Sequence, residues 1–228
     1  MRRGPRPALL VGGICGAILA TLALAFTLGG TGGAAAATAA ADRPSVTFIG
    51  DSWTVGAGAE GRRSYAVRAA EQLGWESTVL GVSGSGYDLP GRAGGTFAQR
   101  VDPALATHAD VIVVQGSLNE RRSTPGSLRA AADDTLERLR AEADPDTRIV
   151  VLGASYVPGT PREVIDWIND EVRRAAGLAG VRFVDVAAEN WTDPRQPWIW
   201  YDSIHPNDLG HQMIADRLVP ILRAQVSG

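Results

Sequence analysis

The sequence contains no lysine, so all 22 of its basic side chains are arginines. That excludes a Schiff-base lysine, a phosphate-loop lysine and a lysine general base. Cysteine is confined to Cys15, which follows "GGI" and lacks the small-residue setting of a lipid-modified cysteine. The chain beyond residue 42 therefore has no thiol for a disulfide, a metal thiolate or a nucleophile. Histidine occurs three times, at His108, His205 and His211. The net charge of −3 falls to −6 once Arg2, Arg3 and Arg6 are set aside, so no basic footprint for nucleic acid is present.

What is present begins with the amino terminus. "MRRGPRP" is a positive leader, Ala8 to Leu28 carries no charge, and "GGTGGAAAATAAADRP" offers small residues in several A-x-A registers. Residues 1–41 read as a signal peptide or, because the apolar run approaches the ~20 residues that span a bilayer, as an amino-terminal membrane anchor with a Gly/Ala-rich linker. Either reading places the rest of the chain outside the cytoplasm, secreted or held at the outer face of the membrane. Residues 42–228, within a chain that is 45% hydrophobic, are enough for one core and short for two.

From residue 44, short runs rich in Val and Ile alternate with amphipathic stretches. "SVTFIG", "STVLGV", "DVIVVQ", "RIVVLG" and "VRFVDV" are nearly continuous in apolarity, as strands buried on both faces are. Helices fit Ser64 to Leu73 before Gly74, the stretch from Leu128 to Ala143, the segment after Thr160, and Leu209 to Val226. In the third, Pro161 is expected at the first helical position with Glu163 completing a capping box; in the last, Pro220 is expected to kink or break the helix. Alternation of this kind implies a parallel sheet covered on both faces.

In such a sheet, ligands bind beyond the carboxyl ends of the strands. The loops there carry "GDSWTVGAG", "SGSGYD", "GSLNE" and "DSIHPN", bringing Ser52, Gly84, Asn119, Asp202 and His205 to one edge. A serine hydroxyl needs an imidazole to take its proton, and the imidazole needs a carboxylate on its other nitrogen. Asp202 and His205, three apart in a loop stiffened by Pro206, supply both. The amides of Ser52 and Gly84 and the Asn119 carboxamide are the candidate donors for charge on a tetrahedral oxygen.

These blocks resemble those of the SGNH or GDSL hydrolases, a family of esterases, lipases and carbohydrate deacetylases. "GDSWTVG" at 50–56 carries Ser52, and "DSIHP" at 202–206 carries Asp202 and His205. "GVSGSG" places Gly84 at the oxyanion glycine, with Gly86 as a competitor. "GSLNE" departs from the family's glycine, any residue, asparagine, aspartate: either a residue is inserted after Gly116 or Ser117 takes the glycine position, and Glu120 replaces the aspartate. The resemblance implies a flavodoxin-like three-layer α/β/α sandwich with a five-stranded parallel sheet.

The expected activity is that of an exported serine esterase working through an acyl-enzyme, on a lipid, short-chain acyl or O-acetylated carbohydrate ester. It needs no cofactor and no metal, and a monomer is the default. An acyltransferase using the same serine, and a non-catalytic glycan-binding module on the same fold, are the alternatives. Trp191, Trp198 and Trp200 are candidates for a substrate-binding wall as well as for packing of the loop. "GAGAEG" at 56–61 matches a dinucleotide fingerprint but starts too far beyond the first strand. Asp202, His205, Asp208 and His211 recur every third residue, a metal-like spacing, although Asp208 and His211 also fit the start of the last helix, facing solvent or capping it. His108 reads as a surface loop residue and Asp51 as a structural acceptor for the nucleophile turn.

Overall fold

The computed structural model describes residues 43–227; the expected signal peptide or anchor lies outside them. Five strands form one parallel sheet: β1 Ser45–Gly50, β2 Glu76–Gly81, β3 Val111–Gln115, β4 Arg148–Leu152 and β5 Arg182–Val184. Their order across the sheet is β2-β1-β3-β4-β5, in a register that pairs Val46 with both Ser77 and Val111. The chain steps to one side from β1 to β2 and to the other side from β3 onward. With right-handed crossovers, the intervening helices then fall on opposite faces. The direction reverses between β1 and β3, which opens a crevice at their carboxyl ends.

The central strands owe their place to unbroken β-branched apolar runs: every residue of β3 is buried, as are Ile149 to Leu152 of β4. The strand β2 corrects the expectation of burial on both faces. It is an edge strand with Glu76, Ser77 and Val79 exposed, so one of its faces meets water.

The helices are α1 Ser52–Val55, α2 Tyr65–Leu73, α3 Val101–Leu105, α4 Pro125–Glu142, α5 Arg162–Leu178 and α6 Asp208–Val226. The first long one, α2, is capped by the Ser64 hydroxyl and stopped by Gly74, and it packs on α6. On α5, Ile165, Ile168, Val172 and Ala176 make one buried stripe, which lies against α4.

Three local expectations change. Helix α4 starts a turn before Leu128, because Thr124 and Ser127 form a reciprocal capping box around Pro125. The box expected at the start of α5 does not form: Pro161 is itself the cap residue and offers no side-chain bond. Pro220, on an exposed position, neither breaks α6 nor ends it before Val226. Among the described residues no helix is long and apolar enough to cross a membrane.

Candidate active site

Strand β1 delivers the chain to Asp51, whose buried carboxylate caps α1 by accepting the Trp53 amide at 2.9 Å. This sets Ser52 as the first residue of a four-residue helix at the mouth of the crevice. Its amide has no acceptor among the described residues, as expected at a helix start.

The other wall is the loop before α6. Tyr201 N–H donates to the His205 carbonyl at 2.9 Å, and Asn207 N–H to the Ile199 carbonyl at 2.9 Å. Within that loop one Asp202 oxygen accepts two amides, Ile204 at 2.7 Å and His205 at 2.6 Å. The other faces His205 Nδ1 at 2.8 Å. A carboxylate only accepts, so Nδ1 carries the proton and the Nε2 lone pair is left facing Ser52 Oγ, 3.1 Å away. Burial works to raise the Asp202 carboxyl, but the bonds from the His205 ring and the two amides outweigh it and hold it below its ordinary value.

Two contacts lock the walls together. Trp53 Nε1–H donates to the Ile204 carbonyl at 3.1 Å. Gly58 lies so close to the histidine loop that a Cβ there would sit 2.9 Å from the Tyr201 side chain.

The "GSLNE" loop resolves into a short 3-10 turn, Leu118–Arg122, capped by Ser117. The Ser117 hydroxyl accepts the Asn119 amide at 2.9 Å and donates to Asp51 at 2.7 Å. Asn119 Nδ2 donates to the Ser85 carbonyl at 2.9 Å and, at a longer 3.3 Å, to Asp51. Asp51 thus anchors both the Ser52 turn and the Asn119 turn. Its burial raises its carboxyl to about 6 against the opposing bonds from Ser117 and Trp53.

The two candidate glycines differ in what their amides do. Gly86 N–H is committed to the Leu89 carbonyl at 2.9 Å, whereas Gly84 N–H has no acceptor among the described residues. Gly86 is instead required for packing, since a Cβ there would lie 2.6 Å from Glu120 Cδ. Glu120 is fully buried beneath this loop and accepts the Tyr87 amide at 2.6 Å. Burial, only partly offset by that bond, pushes its carboxyl up to about 8.

Ser52, Gly84, Asn119 and His205 line one cleft of about 510 Å³, with Trp53, Leu118 and Ile204 as apolar wall. The three candidate tryptophans do not line it, which corrects the expected wall. Trp191 is buried and donates to Glu189, Trp200 packs edge-on against Trp53 at 5.9 Å, and Trp198 is 62% exposed. The aromatic that meets the cleft is Trp53, next to the nucleophile candidate, and its adjacency to Ser52 was the one signal for it. Arg62, Arg92 and Arg121, three further lining residues, lie outside every motif.

His211 is a second correction. It is completely buried rather than solvent-facing: Nδ1 accepts the Tyr65 amide at 3.2 Å and Nε2–H donates to the Ala57 carbonyl at 3.1 Å. Burial lowers its pKa to about 4, so it is a neutral strut between α6 and the chain after α1. Asp208 turns to Arg68 and the Glu60 amide, so the period-three pattern does not gather its four side chains. Residues 56–61 form a turn and a 3-10 segment, with no helix opening from a strand as a dinucleotide fingerprint requires. His108 is on the surface, paired with Asp144.

Comparison with known proteins agrees with this architecture. A GDSL lipase of Mycobacterium tuberculosis is 29% identical over 197 residues, covering 80% of this chain and 83% of that protein. Among solved structures, a Lactobacillus plantarum protein superposes with a TM-score of 0.67 at 22% identity, over 80% of this chain and 97% of its own. A lipase/acylhydrolase from Enterococcus faecalis gives 0.65 at 11% identity, over 80% and 96%; both likenesses are of fold. Residues 48–213 match the GDSL-like Lipase/Acylhydrolase family, and the chain belongs to that family of hydrolases acting on ester bonds.

Proposed function

We propose that the protein is a serine esterase that cleaves acyl esters through an acyl-enzyme at Ser52. The observation that carries this reading is the continuous relay from Ser52 Oγ to His205 Nε2, and from His205 Nδ1 to Asp202, with the ring tautomer fixed by its partners. Ser52 Oγ attacks the ester carbonyl while His205 takes its proton; the imidazolium, stabilised by Asp202, returns that proton to the departing alcohol. Water entering the cleft repeats the exchange on the acyl group. The developing oxyanion is met by the free amides of Ser52 and Gly84. Asn119 Nδ2 is the third donor, and its longer contact to Asp51 is the one an oxyanion displaces.

Lipid, short-chain acyl and O-acetylated carbohydrate esters all fit this chemistry. A fluorophosphonate probe followed by peptide mass mapping tests it. Labelling at Ser52 that disappears in Ser52→Ala and falls sharply in His205→Ala is expected. Folded protein that takes no label, or that labels equally without Ser52, would overturn the mechanism.

A further inference from the structure

Resting on the esterase reading, we infer that the cleft selects esters carrying a negative charge, a phosphate or a carboxylate, beside the scissile bond. Three arginines line it, one from each loop around Ser52: Arg62 after α1, Arg92 in the glycine loop and Arg121 in the Asn119 turn. On the Gly84 and Asn119 side the cleft adjoins a recess of about 290 Å³ to which Arg92, Arg121 and Arg122 all contribute.

Among the described residues no carboxylate neutralises this cluster. Elsewhere arginines such as Arg68, Arg129, Arg138 and Arg174 are paired with carboxylates. Among the described residues, Arg62, Arg92, Arg121 and Arg122 make no ion pair. Arg122 is used internally, donating to the Gly84 carbonyl at 3.2 Å, which leaves the other three as free forks. Among the described residues, Asp51 is the one Asp or Glu lining either recess, and it is buried and already bonded to Ser117.

The chain as a whole is acidic, so the cluster is no sample of a general basic surplus. Backbone holds Arg92 against the glycine loop: its N–H donates to the Ser83 carbonyl at 2.9 Å, and its Cγ lies 3.9 Å from the position a Gly84 Cβ would take. Guanidinium groups beside the oxyanion donors bind a phosphate or carboxylate by paired, charge-assisted hydrogen bonds. A neutral ester of equal size makes none of these.

The test compares acetyl esters of meta-hydroxybenzoate, meta-hydroxybenzyl phosphate and neutral meta-hydroxybenzamide, each rate normalised to alkaline hydrolysis. Wild type should favour at least one anionic ester by ~10-fold or more in kcat/KM, the larger ratio naming the anion. The preference should collapse in Arg92→Gln/Arg121→Gln and shrink in Arg62→Gln. In wild type it should also shrink as salt rises from about 0.05 M to about 0.5 M, a readout that needs no variant to fold. A ratio near one in wild type, or one indifferent to both the substitutions and salt, overturns the inference. Calorimetric binding of meta-hydroxybenzyl phosphate to Ser52→Ala protein separates the two readings. Wild type that hydrolyses none of the esters while the Ser52→Ala protein binds the phosphate refutes the esterase alone, whereas binding of both meta-hydroxybenzyl phosphate and meta-hydroxybenzoate no tighter than that of the uncharged alcohol refutes the anion site.

Discussion

Replacing Asp202 by Asn changes one atom and reverses the logic of the relay. Asp202 serves three donors: the amides of Ile204 and His205 on one oxygen, and His205 Nδ1–H on the other. An asparagine has a single acceptor arm. Two donors at 2.7 and 2.6 Å claim it, so the NH2 arm is turned toward Nδ1. Nδ1 must then accept, the ring proton moves to Nε2, and the lone pair that should receive the Ser52 proton is gone. A wrong tautomer costs ~10⁴ in kcat where the carboxylate is buried. Here the Asp202 side chain is 44% exposed, so water can re-solvate the defect and the expected loss is smaller. We expect kcat to fall about 10³-fold, ~4 kcal/mol of activation free energy, with KM within a few-fold. Since the turn amides keep their acceptor, the melting temperature should move little. Steady-state hydrolysis of an activated acetate ester, with calorimetry on the same samples, measures both. A folded variant within about 5-fold of wild-type kcat would refute the argument that Asp202 sets the tautomer.

Asn119→Ala should lower kcat by ~10²- to 10³-fold at nearly constant KM if the carboxamide meets the oxyanion; a fall only in thermal stability would confine it to holding the Ser85 carbonyl. Gly86→Ala drives a methyl into Glu120 and should cost about 1 to 3 kcal/mol of stability, read as a drop of several degrees in Tm; an unchanged Tm would show that the loop yields freely. Glu120 binds its proton more tightly folded, at about 8, than at its ordinary 4.5. Its contribution to stability is therefore complete below about 4.5 and is lost as pH rises through about 8. Glu120→Gln should flatten the decline of Tm across that window, and a slope equal to wild type would place the proton elsewhere.

The sequence by itself pointed to the class of fold and to the three residues, Ser52, His205 and Asp202, that the structure joins in one hydrogen-bond chain. Continuous Val/Ile runs alternating with amphipathic segments allow only a covered parallel sheet, and strand-end loops are where such a sheet exposes chemistry. Ser52 in "GDS" and the Asp202, His205 pair were legible because a rigid short spacing leaves those side chains few places to go. The position of β2 was not legible, because an edge and a central strand differ in what stands beside them rather than in composition. The same limit hid the tryptophans: Trp191 and Trp200 look alike in sequence with any cleft aromatic, and only their partners, Glu189 and Trp53, assign them to packing. His211 repeats the case, its burial being set by Tyr65 and Ala57, about 150 residues earlier. Choosing Gly84 over Gly86 required knowing which amide was already spent on Leu89. The arginine cluster is the plainest instance, since residues 62, 92 and 121 share no motif and no spacing. Local chemistry is encoded along the chain, whereas long-range pairing, which decides burial and which charges go unneutralised, exists only once the chain has folded.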